Sequence, residues 1–177
     1  MRYLKVIVVL FCIIGFNSCK EDQKVVEEKE SVVSTFYFIR HAEKDKSDPK
    51  NADPELNQDG LGRAIFWAEV MDPVPLDAIY TTNYARTSMT AAPTAVKKDI
   101  TVQYYDPRNI NVEEFKEANL GKTVLVVGHS NTTPDFVNKM IDEKKFKNMD
   151  HTDNGSLFMV RIIDGKATHI RLNISTP

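Results

Sequence analysis

Two short segments of the chain end in basic side chains that suit the binding and transfer of an oxyanion. They are Arg40-His41 and Gly128-His129, and Arg86 lies between them in the sequence. An arginine keeps its charge and offers a fixed fork of N–H donors to a phosphate or carboxylate. A histidine can act as a nucleophile or a proton carrier near neutral pH. Without a cysteine or a cluster of carboxylates beside them, these residues indicate an oxyanion site and predict no metal.

Each of these basic groups follows a short apolar segment with the composition of a buried strand. Thr35–Ile39 precedes Arg40, Thr123–Val127 precedes Gly128, and Ala78–Thr82 lies shortly before Arg86. Unbroken apolar runs of this kind are typical of parallel strands covered on both faces. Ligands of open α/β sheets bind outside the carboxyl ends of the strands. We therefore expect Arg40, His41, Arg86 and His129 to converge at one edge of a sheet.

The segment after His129 adds candidate phosphate ligands. Ser130, Asn131 and Thr132 lead into a predicted helix over 134–143, with Thr132 or Thr133 as its cap. Free N–H groups and the dipole at a helix N-terminus favour an anion. Ser130 and Asn131 are therefore expected to contact the same oxyanion.

The rest of the chain alternates between predicted helices and strands. Helices are predicted over 61–71, with Asn57 or Asp59 as cap, over 84–97 and over 112–119; further strands are predicted over 101–105, 157–163 and 167–172. Asp164-Gly165 between the last two strands is a strong hairpin signal. These patterns predict an α/β fold, a three-layer sandwich with a mostly parallel central sheet and antiparallel strands at one edge.

Four sequence blocks resemble the signatures of the histidine phosphatase superfamily, in its phosphoglycerate mutase-like branch. They are Arg40-His41-Ala42-Glu43, Leu56–Gly60, Ile79–Thr87 with Thr90 and Ala91, and Val126–Thr132, in the order in which the family has them. The resemblance spans roughly residues 35–172, nearly the whole predicted domain.

The resemblance implies a phosphomonoesterase of the histidine acid phosphatase type that works without a cofactor. His41 would attack phosphorus and become a phosphohistidine, while Arg40, Arg86 and His129 hold the phosphoryl oxygens. A backbone carbonyl that accepts from the other ring nitrogen would fix the tautomer of His41. The substrate would be a small phosphorylated molecule or an envelope sugar phosphate.

The proton donor to the leaving oxygen is less well defined. Phytase-like relatives place an aspartate after the second histidine, where this chain has Ser130. Glu43 and Asp106 are the candidates, because both lie near the expected edge of the sheet.

The first 33 residues have the composition of a targeting segment and a tether. Arg2 and Lys5 precede an apolar stretch, and Phe16-Asn17-Ser18-Cys19 resembles a bacterial lipobox. We expect a lipoprotein signal peptide over 1–18, a lipid on Cys19, a charged tether over 19–33 and the phosphatase domain over 34–177. This organisation predicts an extracytoplasmic protein, anchored to the bacterial envelope and its membrane through Cys19.

Composition narrows the class of partner. A formal net charge of −2 argues against a nucleic-acid partner.

Two alternatives to the hydrolase stay open. A non-catalytic lipoprotein could bind phosphate or phosphorylated glycans through the same arginines. A metal hydrolase is disfavoured because no His, Asp or Glu cluster has ligand spacing.

Overall fold

The computed structural model describes residues 30–175, which form one six-stranded sheet with helices on both faces. The strands are β1 Val33–Arg40, β2 Ala78–Thr81, β3 Val102–Tyr104, β4 Thr123–Gly128, β5 Ser156–Ile163 and β6 Lys166–Asn173. The helices are α1 Gln58–Val70, α2 Ala85–Lys98, α3 Val112–Ala118 and α4 Thr132–Ile141. The expected signal peptide, Cys19 and most of the tether lie outside the described residues.

The order of strands across the sheet is β3-β2-β4-β1-β5-β6. Strands β3, β2, β4 and β1 are parallel to one another, whereas β5 pairs antiparallel with β1 and β6 antiparallel with β5. The prediction of a mostly parallel sheet with antiparallel strands at one edge is confirmed. This order brings the carboxyl ends of β1, β2 and β4 together.

Side chains that point alternately to the two faces of the central strands build a core on each side of the sheet. In β4, Val124 and Val126 pack with Phe115 and Phe136 from α3 and α4. The intervening Leu125 and Val127 pack with the other two helices, through side chains that include Trp67, Met71, Ala91 and Ala95. Successive strand side chains point to opposite faces, so a strand covered on both sides is apolar throughout.

Local signals set most of the element boundaries. Asn57, rather than Asp59, caps α1, because its Oδ1 accepts from the backbone N–H of Gly60 at 2.9 Å. Helix α2 continues through Pro93 without a break. The β5–β6 hairpin turns at Asp164 and Gly165, which have φ angles of 47° and 80°. The predicted hairpin is therefore confirmed.

The start of helix α4 was predicted wrongly. Helix α4 begins at Thr132, two residues before the predicted start, and Asn131 takes the N-cap position. Thr132 and Thr133 instead serve the site: Thr132 Oγ1 accepts from the His129 backbone N–H at 3.2 Å. Between residues 30 and 175, no helix has the length and apolar character needed to cross a membrane.

Candidate active site

The two histidines lie side by side at the carboxyl ends of adjacent strands. Arg40 of β1 is in register with Gly128 of β4, and the His41 backbone N–H donates to the Gly128 carbonyl at 2.9 Å. The centroids of the His41 and His129 rings are 5.5 Å apart. The expected convergence of the two imidazoles is observed.

A cavity of about 470 Å³, called here the first cavity, opens above these strand ends. All the predicted phosphate ligands line it, namely Arg40, His41, Arg86, His129, Ser130 and Asn131. Tyr84, Lys44, Asp106, Arg108 and His151 line it as well. The cavity is therefore rich in cations and N–H donors.

His41 presents one unprotonated ring nitrogen. Its Nδ1 lies 2.7 Å from the Ala42 carbonyl oxygen, which can only accept, so Nδ1 carries the proton. Burial, helped by the nearby Arg40 charge, lowers the pKa of His41 from 6.5 to about 3. The ring is neutral at pH 7, and Nε2 keeps its lone pair. This tautomer and its carbonyl partner are those expected from the sequence.

Main-chain contacts fix the segment that carries this carbonyl. The Ala42 N–H donates to Thr90 Oγ1 at 2.9 Å, and Asn154 Nδ2 donates to the His41 carbonyl at 2.8 Å. Thr90 lies on α2 and Asn154 lies shortly before β5. The orientation of His41 thus depends on helix α2 and on the loop that precedes β5.

His129 is held by a hydroxyl rather than by a carbonyl. Its Nε2 lies 2.9 Å from Thr82 Oγ1, which is 3.0 Å from Thr87 Oγ1. Burial, followed by the charge of Arg86, lowers the pKa of His129 to about 4. These contacts engage Nε2 and leave Nδ1 for a ligand.

Arg40 is buried and held along one edge. Its Nη1 donates to the carbonyl oxygens of Asp150 and Asp153 at 2.9 and 3.1 Å. Its Nε is buried without a hydrogen-bond partner among the described residues. Burial lowers the pKa of this guanidinium. A phosphoryl oxygen would supply the missing acceptor.

Arg86 is oriented from two sides at the start of α2. Its Nη1 lies 3.2 Å from Asp53 Oδ1, and the guanidinium carbon lies 4.3 Å from the centre of the Tyr84 ring. The same Asp53 carboxylate accepts from the backbone N–H of Ala85 at 3.0 and 3.1 Å. One carboxylate therefore caps α2 and positions the guanidinium.

The two candidate proton donors have different environments. Both Glu43 oxygens accept from Arg63 Nε, at 2.8 and 2.9 Å, and Glu43 does not line the first cavity. Asp106 follows β3 and lines that cavity. Its carboxylate accepts from the Arg108 backbone N–H at 2.9 Å and from Asn109 Nδ2 at 2.7 Å.

Sequence reasoning missed several residues that shape the site. Thr82 ends the segment predicted as a strand, so its position beside the site could have been found from the strand pattern. Asn154 and Asp53 contact the site over long sequence separations and have no local signal. His151 belongs to none of the sequence motifs, yet it lines the first cavity. Within residues 30–175, no three His, Cys, Asp or Glu side chains are grouped closely enough to hold a metal ion.

Comparisons with known proteins agree with this fold. The model of the histidine phosphatase superfamily (branch 1) matches residues 36–107. No curated protein sequence gives a significant match.

Solved structures with a similar fold cover most of the chain. A candidate phosphohistidine phosphatase, SixA, of Agrobacterium tumefaciens has 21% identity and a TM-score of 0.59 over 81% of this chain and 99% of its own. A mycobacterial glucosyl-3-phosphoglycerate phosphatase has 12% identity and a TM-score of 0.63 over 81% and 100%. A phosphoserine phosphatase mutant of Entamoeba histolytica, in complex with phosphoserine, has 14% identity and a TM-score of 0.61 over 78% and 96%.

At these identities the solved structures bear on the fold alone. The family match includes residues 36–40 of β1, the His41 segment and Arg86. The sequence match thus makes residues 36–107 similar to that superfamily, and the solved structures show the same fold over most of the chain.

Proposed function

We propose that this protein hydrolyses phosphomonoesters through a phosphohistidine on His41. The observation that carries the proposal is the neutral His41 ring, with its Nδ1 proton donated to the Ala42 carbonyl and Nε2 unprotonated. The guanidinium groups of Arg40 and Arg86 and the imidazole of His129 line the same cavity. A neutral nucleophile among fixed donors suits attack on an anionic phosphorus centre.

The reaction would proceed in two displacements at phosphorus. First, His41 Nε2 forms a bond to phosphorus while the ester P–O bond breaks, and the leaving oxygen takes a proton. Then water attacks phosphorus, the P–N bond breaks, phosphate leaves and the proton of the water returns to the donor. Arg40, Arg86 and His129, with Ser130 and Asn131, would hold the phosphoryl oxygens throughout.

Asp106 is the proton donor that the geometry favours. Among the described residues that line the first cavity, Asp106 is the one with a carboxylate side chain. Glu43 does not line that cavity and forms an ion pair with the Arg63 guanidinium, whereas the hydrogen bonds to Asp106 come from neutral N–H groups of its own loop. The donor role that the sequence offers to either residue is therefore assigned to Asp106.

The expected substrate is a small phosphorylated molecule. The first cavity has the size of an ordinary small-molecule site. Similar folds belong to a phosphatase of a sugar-bearing phosphoglycerate and to a phosphoserine phosphatase. An envelope sugar phosphate would agree with the lipobox-like segment before Cys19. The same segment supports a lipid-anchored location outside the cytoplasm.

The proposal is tested by trapping the phosphoenzyme. The full chain would be incubated with ³²P-labelled substrate, quenched in base and compared with His41→Ala, and hydrolysis of para-nitrophenyl phosphate would be followed from pH 5 to 8. We expect an acid-labile, base-stable label on the wild type, and a loss of at least about 10³-fold in kcat for His41→Ala.

The control is His169→Ala, which removes a histidine of β6 that does not line the first cavity. It should retain both the label and the activity. A folded wild type that binds inorganic phosphate but turns over no phosphomonoester would indicate the non-catalytic binding protein instead. Labelling that survives His41→Ala would reject His41 as the nucleophile.

A further inference from the structure

A second cavity, of about 410 Å³, adjoins the first. The two cavities share Arg40, His41, Lys44 and His151. The second cavity extends past His41 to Lys46 and to Asn57 at the start of α1. A substrate whose phosphate lies against His41 can therefore reach into a neighbouring space lined by other side chains.

The charge of the second cavity is positive. Lys44 and Lys46 line it, and neither ammonium group has an ion-pair or hydrogen-bond partner within the part of the chain that the structure describes. The carboxylate that lines it, Glu43, is neutralised by the bidentate contact with Arg63. Asp45, beside Lys46, directs its oxygens to the Ser47 backbone N–H and hydroxyl, each at 2.8 Å.

The backbone that carries these lysines is fixed at its base. Lys44 forms an isolated antiparallel bridge with Leu56. The Asp45 N–H donates to the Glu55 carbonyl at 2.8 Å, and the Asn57 N–H donates to the Glu43 carbonyl at 3.0 Å. Asn57 uses its Oδ1 to cap α1, so its amide N–H group is left for another acceptor. Donors that are already fixed in this way lose little conformational entropy when a ligand binds.

We propose that the second cavity binds a second anionic group of the substrate, a phosphate or a carboxylate. The proposal rests on the proposed function, in which the first cavity holds the scissile phosphate. The substrate class is then a phosphomonoester with a further anion on the same small molecule. Lys46 and the Asn57 amide bind the second anion, and Lys44 lies between the two groups.

The test compares pairs of substrates that differ in the second anion. Fructose 1,6-bisphosphate is compared with fructose 6-phosphate, and 3-phosphoglycerate with glycerol 3-phosphate. We expect the wild type to favour one doubly anionic member by about tenfold in kcat/KM. Which pair shows the preference distinguishes a phosphate from a carboxylate. Lys46→Met should remove most of that preference.

The matched control is Lys50→Met, an exposed lysine in the same loop that lines neither cavity. It should keep the wild-type preference. An active wild type without preference in either pair, or an equal effect of both lysine variants, would overturn the second-anion site.

Calorimetric titration of the same ligands separates this proposal from the catalytic one. Tighter binding of the doubly anionic compound, dependent on Lys46 but without turnover, would support the second-anion site and reject the hydrolase. Equal affinity for both members of each pair, or no binding of either, would reject the second-anion site.

Discussion

The two histidines of the site differ in the chemistry of the group that holds each ring. The Ala42 carbonyl can only accept, and it therefore commits His41 to one tautomer with a free Nε2. The Thr82 hydroxyl can accept or donate, and His129 can accordingly present Nδ1 with or without a proton. This asymmetry fits His41 as the nucleophile and His129 as an adjustable donor to a phosphoryl oxygen.

The assignment of Asp106 is testable through the leaving group. In Asp106→Asn we expect kcat for an alkyl phosphomonoester to fall by about 10²–10⁴-fold, the usual contribution of a general acid. The kcat for para-nitrophenyl phosphate should fall much less, because its leaving oxygen needs no proton. Steady-state kinetics on both substrates provides the measurement. If Glu43→Gln shows this difference between substrates and Asp106→Asn does not, the donor is Glu43.

At the scale of elements, helix α1 packs directly on the segment that follows His41. A Cβ at Gly60 would lie 2.1 Å from the Glu43 carbonyl oxygen and 2.9 Å from its carbon. Such a contact with backbone atoms can be relieved only by moving the helix or the segment after His41. The absence of a side chain at Gly60 therefore lets the helix approach the site.

Two alanine substitutions in α1 separate this contact from helix propensity. Gly60→Ala should destabilise the protein by about 1–3 kcal/mol and lower kcat, since the His41 segment must shift. Gly62→Ala, in the same helix, meets no atom within 4 Å and should stabilise by about 0.5–1 kcal/mol. Urea unfolding of both variants tests this. Equal effects of the two substitutions would contradict the packing argument.

At the scale of the whole molecule, burial of His41 links stability to pH. The pKa of this histidine is 6.5 ordinarily and about 3 in the fold, so the unfolded chain binds the proton more readily. Its contribution to stability is complete above about pH 6.5 and is lost as the pH falls towards 3. Between pH 7 and pH 5 this group alone should lower the free energy of unfolding by about 2 kcal/mol.

Urea unfolding of the wild type and of His41→Ala at both pH values isolates that contribution. The remaining titratable groups are common to the two proteins, and the cavity left by the substitution is present at both pH values. The wild type should therefore lose about 2 kcal/mol more than the variant on acidification. The same pH dependence in the two proteins would show that His41 is not buried in its neutral form.

Much of the fold could be predicted from local pattern because its strands and caps carry strong signals. Continuous apolar runs such as Thr123–Val127 mark strands covered on both faces, and Asp164-Gly165 marks the hairpin. The start of α4 was missed because the backbone N–H of Thr133 donates to the His129 carbonyl, which extends the helix backwards. That contact is a property of the folded loop, so side-chain preferences alone did not reveal it.

The site residues that directly follow strand ends could be predicted from the sequence. Those that lie on distant loops could not. His41 and His129 were expected to meet because parallel strands share one edge. Asp53 reaches Arg86 across 33 residues, and Asn154 reaches His41 across 113. Neither Asp53 nor Asn154 belongs to a motif or to a periodic pattern in the sequence. Their partners depend on how the loops close over the sheet.

The loop that bears Lys44 and Lys46 leaves and rejoins the fold at one point, the Lys44–Leu56 bridge. Between these ends, the Asp53 carboxylate joins the loop to Ala85 and Arg86 at the start of α2. If the proposed function holds, exchange of this loop for one of another sequence should change which phosphomonoesters are accepted and leave the groups around His41 in place. The condition for a working graft is an acidic residue delivered to the start of α2.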